Sequence, residues 1–311
     1  MNIFIAGATG VLGRRLVQQY SSRGHQVVGL VRSEDGEQLV RSLGGTGRYA
    51  DLFDSQALAQ AAEGSDLIIH AATAIPVKAR TGMRDWQLND RIRREGTQAL
   101  VTAAAQVKAK AYLQQSTVWV AQPADGSAFD EDTAPAPAPV HRSAWDGENV
   151  AREAGERYGF SVLVLRCGMF YAPDSAHTRL FGEALRRRRL PVVGRGDAIW
   201  AMVHADDAAH AFAVAAEESL TGTWHVVDNG PATMSDFLRT FAYALEAPEP
   251  RRVPVWLARV LVGRQATEFM TASTRTSNRR FLNASSWRPS FPSIREGLRQ
   301  VARAWQEEGI S

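Results

Sequence analysis

The chain has 311 residues, a formal net charge of +3 and one cysteine, and 45% of its residues are hydrophobic. That length allows about two domains with a large core, and the small basic excess is too weak to predict nucleic-acid binding. A single cysteine excludes an internal disulfide, which fits a reducing cytoplasm, and no apolar run reaches the ~18 residues of a membrane span. No signal peptide is apparent. We therefore expect a cytoplasmic protein without membrane or nucleic-acid partners, and its oligomeric state stays open, a homodimer included.

The opening residues NIFIAGATGVLG place glycines at Gly7, Gly10 and Gly13. A short apolar run ends at Gly7, and a helical pattern begins within a few residues. Gly7 permits a tight strand-to-helix turn, Gly10 lets the backbone approach a pyrophosphate, and Gly13 lets the helix pack on its strand. Unpaired N–H groups at the helix N-terminus attract phosphate. With a second apolar run at 26–31, this pattern predicts a βαβ dinucleotide-binding unit.

The residues after the second strand bear on the choice of dinucleotide. Arg32 comes first, and an arginine at this point accommodates the 2′-phosphate of NADP. Glu34 and Asp35 favour NAD instead, because an acid there binds the ribose 2′-hydroxyl. Arg14 and Arg15, at the start of the first helix, are candidates for additional positive charge. We predict NADP as the cofactor, with NAD as the alternative.

Strands and helices continue to alternate through the first half of the chain. Small residues after the strand at 66–70 leave room for a ligand at its carboxyl end, and 124–140 has the composition of a surface loop. The alternation predicts an α/β fold with a doubly wound parallel sheet of the Rossmann type. In chain order the pattern predicts strands at 48–52, 66–70, 111–115 and 161–166, and helices near 57–61, 85–107 and 145–158.

The second half is less regular and more helical. A run of four arginines at 186–189 is interpreted as a solvated helix end, with a nucleic-acid patch as the less favoured alternative. Helices are predicted at 176–189, 206–216, 235–245, 255–262 and 293–306, with strands within 191–204 and at 224–227. We predict a dinucleotide-binding Rossmann domain, residues 1–168 plus about 197–228, and a smaller, mainly helical substrate lobe, about 169–196 and 229–311.

Short segments spread over nearly the whole chain carry a family resemblance. They are Gly7–Gly13, Asp51-Leu52, His70-Ala71-Ala72, Gly96-Thr97, Ser116-Thr117, Leu165-Arg166, Tyr171-Ala172-Pro173, Val203–Ala208 and Trp287-Arg288-Pro289. On these segments the chain resembles the extended short-chain dehydrogenases/reductases of the NAD-dependent epimerase/dehydratase family. The resemblance implies a nicotinamide cofactor and a small-molecule substrate.

The resemblance also implies where each part of the cofactor binds. Thr117 falls at the family's catalytic Ser/Thr position, directly after Ser116, and would hydrogen-bond a substrate oxygen. The implied contacts with the pyrophosphate are Gly7, Ala8, Thr9, Gly10, Val11 and Leu12, and Gly13 completes this cofactor-binding turn. Asp51 and Leu52 would line the adenine. Ala71, Ala72 and Thr73 would line the ribose beside the nicotinamide, and Cys167, Gly168 and Met169 would lie along the carboxamide.

The family's catalytic Tyr-x-x-x-Lys motif is missing. In the family the tyrosine gives or takes a proton, and the lysine lowers the tyrosine pKa and holds the ribose. Counting back from residues 165–166 places Val140 and Ala144 at these positions, and a slip of one residue places His141 and Trp145 there. Neither alignment supplies a phenol or an ammonium group, so the standard proton relay is absent.

Three functions remain open. The favoured one is an oxidoreductase acting on a carbonyl or alcohol, with His141 or a water chain as the acid, since histidine titrates in the right range. The alternative for His141 is an exposed loop residue. The second function is non-redox chemistry, as in an isomerase, cyclase or lyase, and the third is an inactive NADP-sensing binding protein.

The substrate side gives less information. Residues 198–202 hold no cation to pair with a diphosphate, which argues against a sugar nucleotide. His204, Asp206, Asp207 and His210 are better explained by a strand and a helix cap than by a metal site, and we expect no metal. An apolar or aromatic carbonyl substrate, or else ordinary core packing, would explain the aromatic residues Trp86, Trp119, Trp145, Phe170, Tyr171 and Trp200.

Overall fold

A computed structural model describes residues 1–78 and 81–309. The first half alternates strands and helices, as the sequence predicts. Its elements are β1 (Asn2–Ala6), α1 (Val11–Ser22), β2 (Gln26–Val31), α2 (Glu34–Ser42), β3 (Thr46–Tyr49), α3 (Ser55–Ala61), β4 (Leu67–His70), a 3₁₀ turn (Met83–Trp86), α4 (Gln87–Arg91), a π-helical turn (Ile92–Gly96), α5 (Thr97–Gln106), β5 (Ala111–Thr117), 3₁₀ turns (Val118–Val120 and Pro139–His141), α6 (Arg142–Tyr158) and β6 (Ser161–Cys167).

The second half is mostly helical, with short strands. Its elements are β7 (Met169–Tyr171), α7 (Ala176–Arg186), β8 (Val192–Val193), β9 (Ile199–Trp200), β10 (Met202–His204), α8 (Ala205–Glu217), β11 (Gly222–Val226), β12 (Ala232–Thr233), α9 (Met234–Ala244), β13 (Arg252–Val253), α10 (Val255–Val262), α11 (Arg264–Thr271), α12 (Arg279–Ala284) and α13 (Ile294–Glu307).

Within the described residues, seven strands form one parallel sheet in the order β3–β2–β1–β4–β5–β6–β11. The strand order reverses between β1 and β4, where Ala6 pairs with His70. In doubly wound sheets, ligands bind in the crevice outside the carboxyl ends of the strands at such a reversal. The predicted Rossmann-type fold is therefore confirmed, and the reversal lies beside the glycine turn.

Alternate side chains of each strand fill two separate cores on the two faces of the sheet. Ile3 and Ile5 of β1 pack with α1 and α8, and Phe4 packs with α3 and α5 on the other face. Tyr20 fastens α1 to α8 by donating its hydroxyl hydrogen to the carbonyl oxygen of Phe212 at 3.0 Å. Both faces of the sheet are thus covered, as strands apolar on both sides require.

A third core lies in the smaller lobe, among α7, α9 and α13. Its largest members are Tyr171, Phe237, Phe241 and Trp305. The predicted, mainly helical lobe is therefore confirmed, while the boundaries between two domains stay a prediction. No helix in the described part of the chain is both long and apolar enough to cross a membrane.

Two local differences from the sequence-based expectation affect the site. Residues 34–42 form α2, which the sequence analysis did not predict; Ser33 begins it by accepting a hydrogen bond from Gly36 N. The helix expected at 85–107 is interrupted by the π-helical turn at Ile92–Gly96. Such turns are frequently found at functional sites, because they change the direction of the side chains that they carry.

Candidate active site

The turn between β1 and α1 is built from glycines packed against backbone. Gly7 has φ +87°, and a Cβ there would lie 2.5 Å from the backbone nitrogen of Ala72. A Cβ on Gly13 would lie 1.9 Å from the carbonyl oxygen of Gly7. Gly10 N donates a hydrogen bond to Gly7 O at 3.0 Å, which closes the turn. No side chain fits at Gly7 or Gly13, so both glycines are steric requirements.

The same turn presents the start of α1 to solvent. Gly10 caps the helix without any side-chain hydrogen bond, and Thr9 and Gly10 are exposed. The N–H groups of the first turn, with the positive end of the helix dipole, are therefore left to an external anion. Ala8 is buried beneath the turn and Val11 is half-buried. This arrangement fits the pyrophosphate of a dinucleotide.

Arg14 and Arg15 are neutralised locally. Arg14 Nε lies 3.1 Å and Arg15 Nη2 2.9 Å from the carboxylate of Asp174, and Arg15 also pairs with Asp206. The expected additional positive charge for the cofactor is thus corrected: these side chains join α1 to the second half of the chain, because two carboxylates face them there.

At the adenosine end, Arg32 is exposed directly after β2. Glu34 and Asp35 lie in the first turn of α2, where the helix dipole stabilises carboxylates. Asp51 accepts a hydrogen bond from Phe53 N at 3.0 Å, which shapes the loop after β3. Leu52 follows it and lies 3.2 Å from where a Cβ on Gly96 would sit. These positions are compatible with the adenine contacts implied by the resemblance.

The end of β4 is held by its own histidine. His70 Nδ1 accepts a hydrogen bond from Ala72 N, and its Nε2 lies 3.3 Å from the carbonyl oxygen of Ile92. Burial lowers the pKa of His70 to about 4, so the ring is neutral at pH 7. Ala71 N extends the sheet by bonding Ala6 O, and Thr73 is exposed beyond it. The histidine side chain therefore positions the backbone of Ala71 and Ala72 next to Gly7.

The segment after β6 forms the opposite side of the crevice. Cys167 pairs with Thr117 across β5 and β6, and burial raises the pKa of its thiol well above the usual range. A Cβ on Gly168 would lie 2.7 Å from Ala201 O, so a side chain is excluded. Met169 is half-buried and faces a small cavity. The buried thiol is protonated and unreactive. The segment forms part of the wall of the crevice and supplies no reactive group.

Ser116 and Thr117 differ sharply in what their hydroxyl groups contact. Ser116 Oγ donates to Glu148 Oε1 at 2.5 Å, and Glu148 is fully buried in a two-contact ion pair with Arg166, at 2.9 and 2.8 Å. Thr117 Oγ1 is buried and lacks a hydrogen-bond partner within the described residues. Of these two predicted catalytic residues, Thr117 is the one whose hydroxyl group is not already engaged by another described side chain.

His141 lies immediately before α6 and is half-buried. Its ring stacks on Trp119, with centroids 5.6 Å apart and planes 18° apart. Burial, and next the positive charge of Arg93, lower the pKa of His141 to about 4. Both influences oppose protonation, so the ring is uncharged near neutral pH, and the role of His141 as the acid stays a prediction.

Aromatic residues form a wall beyond His141 and Trp119. Phe269 lies between Trp119 and Trp200, with centroid distances of 5.8 and 5.9 Å. Trp119 Nε1 donates to Thr274 Oγ1 at 3.1 Å. Together with Met169, Ala201 and Met202, these four side chains enclose a cavity of about 10 Å³.

The other aromatic candidates lie elsewhere. Tyr171 is in the core of the lobe, where its hydroxyl bonds Asp228 at 3.0 Å, and Phe170 packs on the main core. Trp145 lies under Arg152 on α6, and Trp86 is half-buried before α4.

The family of NAD dependent epimerase/dehydratase proteins matches residues 3–226. The chain belongs to this family. It is 33% identical over 310 residues to the 3-diazoavenalumate denitrifying reductase of Streptomyces sp., with 96% of this chain and 99% of that protein covered. It is 26% identical over 250 residues to a 4-hydroxy-2-methyl-3-oxo-4-farnesyl-3,4-dihydroquinoline-1-oxide ketoreductase of Stigmatella aurantiaca, covering 76% and 71%. A human epimerase family protein solved with NADPH superposes with a TM-score of 0.81 at 21% identity, covering 97% and 99%.

Membership establishes an NAD(P)-binding Rossmann enzyme, and the two relatives named here are reductases. The glycine turn and the open N-terminus of α1 fit a nicotinamide dinucleotide. The family description names NAD and the human structure holds NADPH, so these comparisons leave the choice between the two open.

At the family's proton-relay positions the structure shows apolar side chains. Val140 is half-buried and Ala144 is buried in the first turn of α6. The helix is described over its whole length and carries no lysine, and its tyrosine, Tyr158, is its last residue. This member of the family therefore lacks a phenol and an ammonium group at the usual place.

The sequence analysis missed Arg93. It lies on the π-helical turn and is 6% exposed, and its Nη1 lacks a hydrogen-bond partner within the described residues. Asn89 and Thr97, four residues to either side, are buried as well. Asn89 accepts from Ala74 N at 3.1 Å, and Thr97 donates to Arg93 O at 2.7 Å. The sequence signal that could have revealed its burial is the spacing of four residues from Asn89 to Arg93, Thr97 and Val101, which places these side chains on one face of the helical segment.

Proposed function

We propose that this enzyme is an NADPH-dependent reductase that delivers hydride to the diazo group of an aromatic compound and releases N₂. The observation that carries the proposal is an asymmetry in the site. The glycine turn for the pyrophosphate is intact, whereas α6 offers neither a phenol nor an ammonium group at its start, and the pKa of the adjacent His141 is lowered to about 4. A hydride acceptor that needs no acid suits this arrangement.

An arenediazonium group is such an acceptor, because it is already electron-deficient. A bound NADPH supplies the hydride. The hydride adds to the terminal nitrogen and gives an aryldiazene. Its N–H proton is then released to solvent, the carbon–nitrogen bond breaks, N₂ leaves, and the ring carbon takes a proton from solvent, so that no net proton is consumed. The substrate gains two electrons and NADP⁺ is formed. Carbonyl reduction differs because it requires a proton on the oxygen, which the family's tyrosine supplies.

The aromatic wall and the comparison support the same substrate class. Trp119, Phe269 and Trp200 form an apolar aromatic lining beside Met169, which favours an aromatic substrate over a strongly polar one. The Streptomyces reductase, which is similar over nearly the whole chain, is named for a diazo substrate and for its denitrification.

NADP is the proposed form of the cofactor because of Arg32. The guanidinium is exposed at the carboxyl end of β2, and the two competing acids lie in the first turn of α2. An arginine there suits a 2′-phosphate by charge and by paired hydrogen bonds.

A carbonyl reductase is the second candidate. Thr117 Oγ1 has no partner within the described residues, and the neutral ring of His141 retains one N–H donor, so both could hydrogen-bond a carbonyl oxygen. The proton itself would then come from water.

The deciding experiment follows NADPH absorbance with two matched substrate sets: arenediazonium compounds, both simple cations and ones that carry a ring oxide or a carboxylate, and the corresponding aryl ketones. Reactions without enzyme and with Gly13→Ala protein correct for direct reduction of the diazonium by NADPH. We expect enzyme-dependent oxidation with the diazonium set only. Turnover restricted to ketones would replace the proposal with the second candidate, and no turnover with either set would refute both reductase proposals.

A further inference from the structure

Arg93 carries a buried charge that its surroundings leave incompletely satisfied. Its side chain is 6% exposed, and Nη1 has neither solvent nor a hydrogen-bond partner within the described residues. Burial lowers the pKa of Arg93 to about 10, so the guanidinium remains charged at neutral pH. Buried charges in proteins are normally paired, because an unpaired one loses its hydration without replacement.

The nearby carboxylates do not supply that partner. Glu148 is already bound by Arg166 at 2.8 Å, by Arg152 at 2.6 Å and by Ser116 at 2.5 Å. Asp90 lies close enough to favour the charged form of Arg93, but the described residues show no ion pair between them. Glu148 and Asp90 therefore offset part of the charge, but Nη1 is left without a hydrogen-bond acceptor in the described part of the chain.

The position of Arg93 points to the reaction site. The π-helical turn packs on α6, and a Cβ on Gly147 would lie 2.5 Å from Arg93 O. The charge of Arg93 is close enough to lower the pKa of His141, which stacks on the aromatic wall. Thr117, whose hydroxyl also lacks a partner, follows Ser116, which bonds Glu148 on α6. The two unsatisfied groups thus lie on two elements, the π-helical turn and β5, that both contact α6.

We propose that Arg93 binds an anionic oxygen of the substrate and so selects aromatic compounds that carry one. The inference rests on the proposed function and makes it narrower. A simple arenediazonium is a cation, which Arg93 would repel. A diazo arene with a ring oxide or a carboxylate is neutral overall, and its oxygen would occupy Nη1 by a charge-assisted hydrogen bond.

The test measures binding without turnover, so that it does not depend on the reaction. Calorimetric titration in the presence of NADP⁺ compares 4-nitrophenolate, 4-nitrobenzoate and the uncharged 4-nitroanisole. We expect the wild-type enzyme to bind one or both anions about tenfold or more tightly than the anisole. The phenolate and the benzoate arms distinguish a ring oxide from a carboxylate as the source of the anionic oxygen.

The variants are Arg93→Gln and Arg93→Lys, with Arg94→Gln as the matched control, because Arg94 is exposed and pairs with Asp146 at 2.7 Å. Arg93→Gln should lose the preference for anions and bind the anisole within about twofold of wild type. Arg93→Lys, which keeps the charge, should retain part of the preference. Arg94→Gln should change none of the three affinities.

Equal weakening of all three ligands in a folded Arg93→Gln protein would overturn the inference, as would a wild-type enzyme without preference for the anions. If Arg93→Gln does not fold, Arg93→Met replaces it. Full retention of the preference for anions in the Arg93→Met protein would refute the inference. Anion binding through Arg93 without N₂ release from any diazo arene would refute the proposed function alone. Diazo reduction that is indifferent to Arg93 would refute this inference alone.

Discussion

The two ends of the crevice are built by different means. At the β1–α1 turn the ligand site consists of backbone, and the essential residues are those that lack a side chain, Gly7 and Gly13. At the start of α6 the proposed site consists of side chains, and the proposals assign its chemistry to His141, Arg93 and Thr117. A backbone site tolerates little change, whereas a side-chain site can acquire a different chemistry through a few substitutions on the same scaffold.

The strongest test of the backbone end is Gly13→Ala. The new methyl group would lie 1.9 Å from Gly7 O, so the turn must open and the N-terminus of α1 must move. We expect NADPH affinity to fall by about 100-fold or more, or the protein not to fold. Gly230→Ala is the control, because a Cβ there meets only Ser293 at 4.0 Å. Normal NADPH binding by a folded Gly13→Ala protein would contradict the assignment of the turn.

Glu148 supports the side-chain end of the crevice, because it holds β5, β6 and α6 together. Glu148→Ala would leave Arg166, 2% exposed, without its partner. Removing one member of a buried ion pair typically costs about 3–5 kcal/mol. Denaturant unfolding should show a loss of this size, against less than about 0.5 kcal/mol for Glu183→Ala, which removes an exposed pair with Arg187. Equal losses would mean that the buried pair contributes no more than a surface pair.

Arg32→Asp tests the cofactor preference. Reversing the charge should weaken NADPH binding by about tenfold or more, because a phosphate contact becomes a repulsion, and NADH binding should change little. Dissociation constants for both nucleotides can be measured by fluorescence titration. Arg195→Asp, which changes an exposed arginine in the second half, is the charge control. A parallel loss of NADH affinity would remove the NADP assignment.

The smallest expected effect concerns pH. With a pKa lowered to about 4, His141 is neutral both at pH 7 and at pH 5.5, and it gains its proton only as the pH falls toward 4. The pH profile of kcat near pH 6.5 should therefore have the same shape in the wild-type enzyme and in His141→Gln. A step near pH 6.5 that is present in wild type and lost in the variant would restore histidine as a charged acid.

Sequence alone allowed most of the scaffold and the glycine turn to be predicted, for a physical reason, whereas the individual cofactor contacts stay predictions. Alternating strands and helices, and glycines at fixed spacing, leave patterns that do not depend on distant residues. Arg93 was missed because its burial depends on α6, which lies far along the chain, and because the π-helical turn leaves no clear sequence signal. The lowered pKa of His141 could not be predicted, because its burial and the nearby guanidinium of Arg93 are tertiary features.

The most direct test of the central claim, hydride delivery to a diazo group without a protein acid, is the ratio of N₂ released to NADPH consumed. Gas evolution and absorbance would be recorded together for the enzyme with an oxide-bearing diazo arene, after subtraction of the reaction without enzyme. The account predicts one N₂ for each NADPH. Enzyme-dependent NADPH oxidation without N₂, or N₂ without NADPH oxidation, would contradict it.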